Sequence, residues 1–220
     1  MNPLSFLDYH LSFEKVQVAK QIFQDSLAKK LRELGIQFPI ANLYIRIFKQ
    51  EKQLEIWASN KEEFQLIATY PFTNFSGTVG PKNREGDLQI PEGFYQITHF
   101  NPKSKFHLSL KISYPNDVDV LRNKSIQQLG GDIYIHGGDY TVGCIPIGDE
   151  NISVLYWLCV NSFAIHPTIP VHIFPAKMEG KQLDELCFNY PEYITFWRTM
   201  QTIYLNFQAS KKLDNIEAFA

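Results

Sequence analysis

At residue 43 the sequence changes its hydrophobic period, and that change decides the fold class. Before it, residues 12–34 place Val16, Ala19, Phe23, Leu27, Leu31 and Leu34 at spacings of three, four and seven residues among Lys, Gln and Glu. This pattern predicts one amphipathic helix, with Gly35 as its stop. After it, Leu43–Phe48 alternates and is rich in β-branched and aromatic residues, so it reads as a strand. Leu54–Ala58 and Gln65–Tyr70 follow as two more strands, separated by the polar turns 49–53 and 59–62. The three together predict an antiparallel meander.

Further along, Phe94–Phe100, Phe106–Ile112, Ile133–His136 and Val171–Phe174 read as strands, and Tyr114–Asp117 as a turn. Asp149 is the expected N-cap of a helix carrying Ile152, Leu155, Tyr156 and Cys159. Tyr193–Ser210 is expected to be helical, with Phe196, Met200, Ile203, Tyr204 and Phe207 on one side. Residues 76–93 hold Gly77, Gly80, Pro81, Gly86, Pro91 and Gly93. They predict a long structured loop, the kind of segment that disproportionately carries function. The fold class is therefore α+β, a β-rich core with flanking N- and C-terminal helices. The expected division is an N-terminal helical segment 1–40, a central domain 41–178, and a C-terminal helical extension 179–220 packed on that domain.

With 45% apolar and 20% charged residues, the 220-residue chain can bury a sizeable core and is not of the disordered class. A net charge of -2 and the lack of a long Lys/Arg block point away from nucleic acid and anionic membrane surfaces. Three cysteines, Cys144, Cys159 and Cys187, are too few for a disulfide framework. No run of 18 apolar residues is present, so no membrane span is expected. The segment after Met1 lacks the basic and apolar regions of a signal peptide, which leaves a cytoplasmic protein or one numbered after a removed signal.

The stretch Ile135-His136-Gly137-Gly138-Asp139-Tyr140-Thr141-Val142-Gly143-Cys144 concentrates the chemistry. Strand alternation puts Ile133 and Ile135 on one face, and Tyr134 and His136 on the other. The two glycines after His136 let the chain double back and bring Cys144 beside it. A thiol with an unperturbed pKa near about 8.5 is mostly protonated at neutral pH, and an adjacent imidazole can take its proton. The Gly137 carbonyl is the nearest group in the chain able to orient that ring. Gly143 leaves room for a substrate backbone, and amides around Thr141, Val142, Gly143 and Cys144 are candidate oxyanion donors. Taken alone, a histidine and a cysteine eight residues apart are more often structural than catalytic.

His136-Gly137 followed by Gly143-Cys144 resembles the signature of the L,D-transpeptidase (YkuD) catalytic domain family, closest to its YafK-like branch. The likeness extends to Gly80-Pro-Lys, Arg84-Glu-Gly-Asp87, Pro91-Glu-Gly-Phe-Tyr95, His107-Leu-Ser109, Tyr114-Pro-Asn116 and Pro170–Pro175, over about residues 43–207. The resemblance implies a periplasmic enzyme, with any export signal outside these residues. Its partners would be diaminopimelate-containing peptidoglycan stem peptides, and in this branch a peptidoglycan-linked lipoprotein that hydrolysis releases. Cys144 carries over as nucleophile, His136 as base and Gly137 as the orienting carbonyl. Val142 stands where the wider family has histidine, and Pro146 where it often has arginine. Both replacements remove polar groups near the nucleophile and tilt the reading toward hydrolysis over transpeptidation. The competing readings are a non-catalytic peptidoglycan-binding module and an unrelated Cys/His hydrolase.

Arg84 is a candidate carboxylate clamp or a surface ion-pair partner of Glu85 or Asp87. Tyr140 is a candidate substrate contact inside the catalytic loop. His107, read as lying on a strand, and Tyr114, beside a turn, are candidate cleft residues or structural ones. His166 and His172 lack the paired spacing of a zinc site, so neither a metal nor a cofactor is expected.

Overall fold

The computed structural model describes residues 3–214. Three N-terminal helices, α1 (Pro3–Leu11), α2 (Glu14–Ser26) and α3 (Ala28–Glu33), precede the strands β1 (Asn42–Phe48), β2 (Gln53–Ser59) and β3 (Gln65–Pro71). Then come β4 (Gly93–Asn101), β5 (Ser109–Ile112), α4 (Asp117–Arg122), β6 (Tyr134–His136) and β7 (Ile145–Pro146). The chain continues with α5 (Asp149–Ile165), β8 (Pro170–Phe174) and α6 (Lys181–Asn189). A 3-10 turn at Pro191–Tyr193 leads into α7 (Ile194–Ser210). The fold is α+β.

All eight strands join one mixed sheet in the order β3-β2-β1-β8-β4-β5-β6-β7. The meander β1–β3 is antiparallel, as its short polar turns require. β8 enters between β1, which it parallels, and β4, which it opposes. That central position explains why Val171, Ile173 and Phe174 are all fully buried. Residues 76–92 contain no strand or helix.

The single helix read over residues 12–34 is divided in the structure. α2 buries Val16, Ala19 and Phe23, and Leu27 then serves as C-cap of α2 and N-cap of α3. A 13-residue helix is marginal alone in water. Each large apolar side chain it buries contributes about 1.5–3 kcal/mol, so packing sets its limits more than propensity does. These helices share one continuous core with the sheet: Val16, Phe23 and Leu31 belong to the cluster that includes Ile45, Ile135 and Leu155.

Two other expectations are corrected. Phe106 and His107 precede the strand, which begins only at Ser109, and His107 adopts φ +66°. Asp149 is the first residue of α5 instead of its cap, because Gly148 occupies the N-cap. The carboxylate of Asp149 instead accepts the Gly138 amide at 2.8 Å.

Candidate active site

The site forms at the β5–β6–β7 edge of the sheet. β6 pairs antiparallel with β5, matching Ser109 with His136, and parallel with β7, matching Ile135 with Ile145 and His136 with Pro146. Paired residues on neighbouring strands project to the same side. Cys144, one residue before the Ile145 match, therefore shares a face with Tyr134 and His136, while Ile135 and Ile145 enter the core. Ser109, Tyr134, His136 and Cys144 line one pocket of about 310 Å³, together with Phe106 and Asp132.

The backbone makes this arrangement possible only with glycine at two positions. A Cβ on Gly137 would lie 2.8 Å from the Phe106 carbonyl oxygen. Gly143 has φ +88°, and a Cβ there would lie 2.9 Å from the Gln89 carbonyl oxygen. The loop over residues 73–89 is strapped onto the cysteine loop. Gly143 N–H donates to Ser76 Oγ at 2.7 Å, and Thr73 Oγ1 donates to the Gly138 carbonyl at 2.7 Å. The Thr141 hydroxyl donates to the Cys144 carbonyl at 2.7 Å. The Gly143 amide, an expected oxyanion donor, is thus held by Ser76 in this conformation, while Val142 is exposed.

His136 is buried, and its Nδ1 lies 2.6 Å from the Gly137 carbonyl oxygen. A carbonyl can only accept, so the proton of the neutral ring sits on Nδ1 and Nε2 keeps its lone pair. Burial lowers the imidazole pKa, partly opposed by the Gly137 carbonyl. The Cys144 thiol is raised by burial and by nearby Asp132, against a backbone hydrogen bond from Tyr134 and the charge of Lys82. Its Sγ–H donates to the Asp132 carbonyl oxygen at 3.6 Å. Both groups therefore rest neutral, a thiol and an imidazole in one pocket instead of a preformed ion pair.

The remaining candidates are placed differently. Tyr140 is 65% exposed and stacks on Phe106 with centroids 6.2 Å apart. Phe106 in turn packs on the His136 ring in a tilted arrangement, with centroids 4.7 Å apart. His107 points to α5, with Nε2 2.8 Å from Ser153 Oγ. Tyr114 is buried, its hydroxyl donating to the Leu129 carbonyl. Neither His107 nor Tyr114 lines the pocket. Asp87 pairs with Lys82 at 2.6 Å and accepts the Arg84 amide, leaving the Arg84 side chain exposed with no ion pair among the described residues. The sequence reading missed Phe106, whose contact with His136 spans thirty residues and leaves no local signal. No three His, Cys, Asp or Glu side chains gather as a metal-binding group among the described residues, and no described helix is long and apolar enough to cross a membrane.

This α+β domain carries a histidine and a cysteine on one sheet edge, and its residues 42–173 match the YkuD model, the L,D-transpeptidase catalytic domain. The chain belongs to that family. It is 28% identical to YafK of Escherichia coli K12 over 173 residues, which cover 77% of this chain and 68% of that protein. Among solved structures it is similar to the helical cell shape determining protein Pgp2 from Campylobacter jejuni, with TM-score 0.49 and 20% identity over 66% of this chain and 54% of that one. It is also similar to Bdellovibrio bacteriovorus Bd1075, with TM-score 0.45 and 21% identity over 74% of this chain and 59% of that one. The chain thus spans little more than half the length of either solved relative.

Proposed function

We propose that this enzyme cleaves or transfers peptidoglycan stem peptides through a thioester on Cys144. His136 Nε2 takes the thiol proton as sulfur attacks the carbonyl carbon next to the L-centre of diaminopimelate. The tetrahedral oxyanion collapses, the C–N bond breaks, and the imidazolium returns the proton to the departing amine. Water or a second amine then attacks the thioester with His136 again as base, and the thiol is regenerated. The Gly137 carbonyl holds the ring in the required tautomer. The oxyanion is expected to draw on the amides of the 141–144 loop, with Gly143 N–H exchanging Ser76 for substrate oxygen. Val142 and Pro146 stand where the wider family carries polar groups beside the nucleophile, and the loss of those groups tilts the proposal from transfer toward hydrolysis, with release of a peptidoglycan-linked lipoprotein as its product. Activity of this kind belongs in the periplasm, where the polymer lies.

The observation that carries this reading is the register of β6 and β7, which sets His136 and Cys144 on one face and opens both into one pocket. The test is to digest sacculi with the wild type and with Cys144→Ala and profile the muropeptides. Released stems or lipoprotein remnants with the wild type alone identify a hydrolase, and new crosslinks a transferase. Identical profiles from the two proteins would overturn the proposal.

A further inference from the structure

We infer that the turn Ser104–Leu108 is a positioning device for His136, and that Lys15, outside the residues matching the catalytic family, holds this turn in place. The inference rests on His136 being the base, and it names what sets that base's orientation and proton affinity. Phe106 grips the histidine segment twice. Its ring covers the imidazole with centroids 4.7 Å apart and planes 34° apart, and its carbonyl accepts the Gly137 amide at 3.1 Å. The same residue, Gly137, carries the carbonyl that fixes Nδ1. Tyr140 closes the outer side of Phe106 as a near-parallel ring, 11° away.

The turn is itself pinned from three sides. Lys15, in the first turn of α2, donates to the carbonyls of Ser104 at 3.3 Å and His107 at 3.1 Å. His107 bonds Ser153 on α5. The Leu108 carbonyl shares the Gly137 amide at 3.3 Å. A residue at φ +66° persists only where its surroundings fix it, and here those surroundings are α2 and α5. Helix α2 lies before residue 42, where the family match begins. Helix α2 therefore helps position the histidine, although it lies outside the matched residues.

An aromatic ring over an imidazole removes water from one face, disfavours the imidazolium and narrows the ring's freedom. From the sheet, Cys144 and Tyr134 face His136. From the turn and α2 come Lys105, His107 and Lys15, and Asp132 and Asp149 lie across the pocket and at the start of α5. Cations and anions are both present, so the ring's burial decides the direction of its shift.

The experiment follows the His136 ring by NMR titration of the full chain, alongside pH–rate profiles. Phe106→Ala is expected to move the His136 midpoint up toward the ordinary histidine value of about 6.5. The acid limb of kcat should shift upward with it, and kcat should fall by about tenfold or more. Phe106→Leu should restore most of both, and Lys15→Met should shift the midpoint in the same direction by less. An unchanged midpoint in Phe106→Ala and Lys15→Met, with only the melting temperature lowered, would overturn the inference. The titration needs no turnover. If His136→Ala stays active the proposed mechanism fails, while the midpoints still report whether this turn controls the ring.

Discussion

At Cys144 and His136 the same physical cause acts in opposite senses. Burial raises the thiol and lowers the imidazole, so neither group ionises easily in the resting pocket. On the mechanism proposed above, the nucleophile is made only when substrate arrives, by transfer of one proton from Sγ to Nε2. The alkylation of Cys144 by iodoacetamide should therefore rise with a midpoint above that of an unperturbed thiol, read by mass spectrometry of the Cys144 peptide against pH. A midpoint below neutrality would reveal a standing thiolate–imidazolium pair and refute the neutral resting state. Cys159, fully buried with its thiol pushed above the ordinary range, should stay unlabelled in the folded protein. Cys144→Ala should abolish turnover while leaving the melting curve nearly unchanged, because its sulfur's polar partners are backbone groups.

At the level of elements, the first turn of α5 ties the site together. Asp149 accepts the Gly138 amide, a favourable place for an anion at a helix N-terminus, and Ser153 anchors His107 while donating to the Asp149 carbonyl. Asp149→Ala should destabilise the fold by about 1–2 kcal/mol in urea unfolding and loosen the glycine turn, cutting kcat by about tenfold or more. Asp149→Asn, which keeps an acceptor oxygen, should recover most of both; equal damage from the two would show that charge alone matters. This element also shows what could be read from sequence. The alternation Ile133-Tyr134-Ile135-His136 is local, and the faces it implied match the burial of the isoleucines. Asp149 was visible as a helix-start residue, yet its partner Gly138 comes from a loop folded back over it. The break at Leu27 has neither Gly nor Pro to announce it, and Leu27 itself is buried in the core that α2 shares with α5. α4 was legible in principle: Asn116 and Asp119 form a reciprocal capping box, disguised by the turn residues before it. Contacts such as Phe106 on His136 arise only when β5 and β6 pair.

At the scale of the whole molecule, β8 carries a titratable group into the buried interior of the protein. His172 is fully buried between the sheet and α7, its Nδ1 2.8 Å from the Tyr44 hydroxyl. The rings of Phe94 and Tyr44 pack on it. Burial, followed by the charge of Arg46, lowers its pKa to about 3. Arg46 already places a cation in this layer, ringed by Phe48, Tyr204 and Phe207. A second one on His172 would have no carboxylate of its own. In the unfolded chain the histidine binds its proton below about 6.5. Over the window from about 6.5 down to about 3 the unfolded state therefore holds more protons than the folded one, and stability falls as pH falls. His10, lowered to about 4 by burial and secondarily by His99, adds a slope of the same sign over the upper part of that window. Urea midpoints measured from pH 7 to pH 4 should decline steadily for the wild type. They should decline less for His172→Asn, which keeps a polar partner for Tyr44 but has no proton to gain. An equal decline in the two proteins would place the acid sensitivity outside this layer.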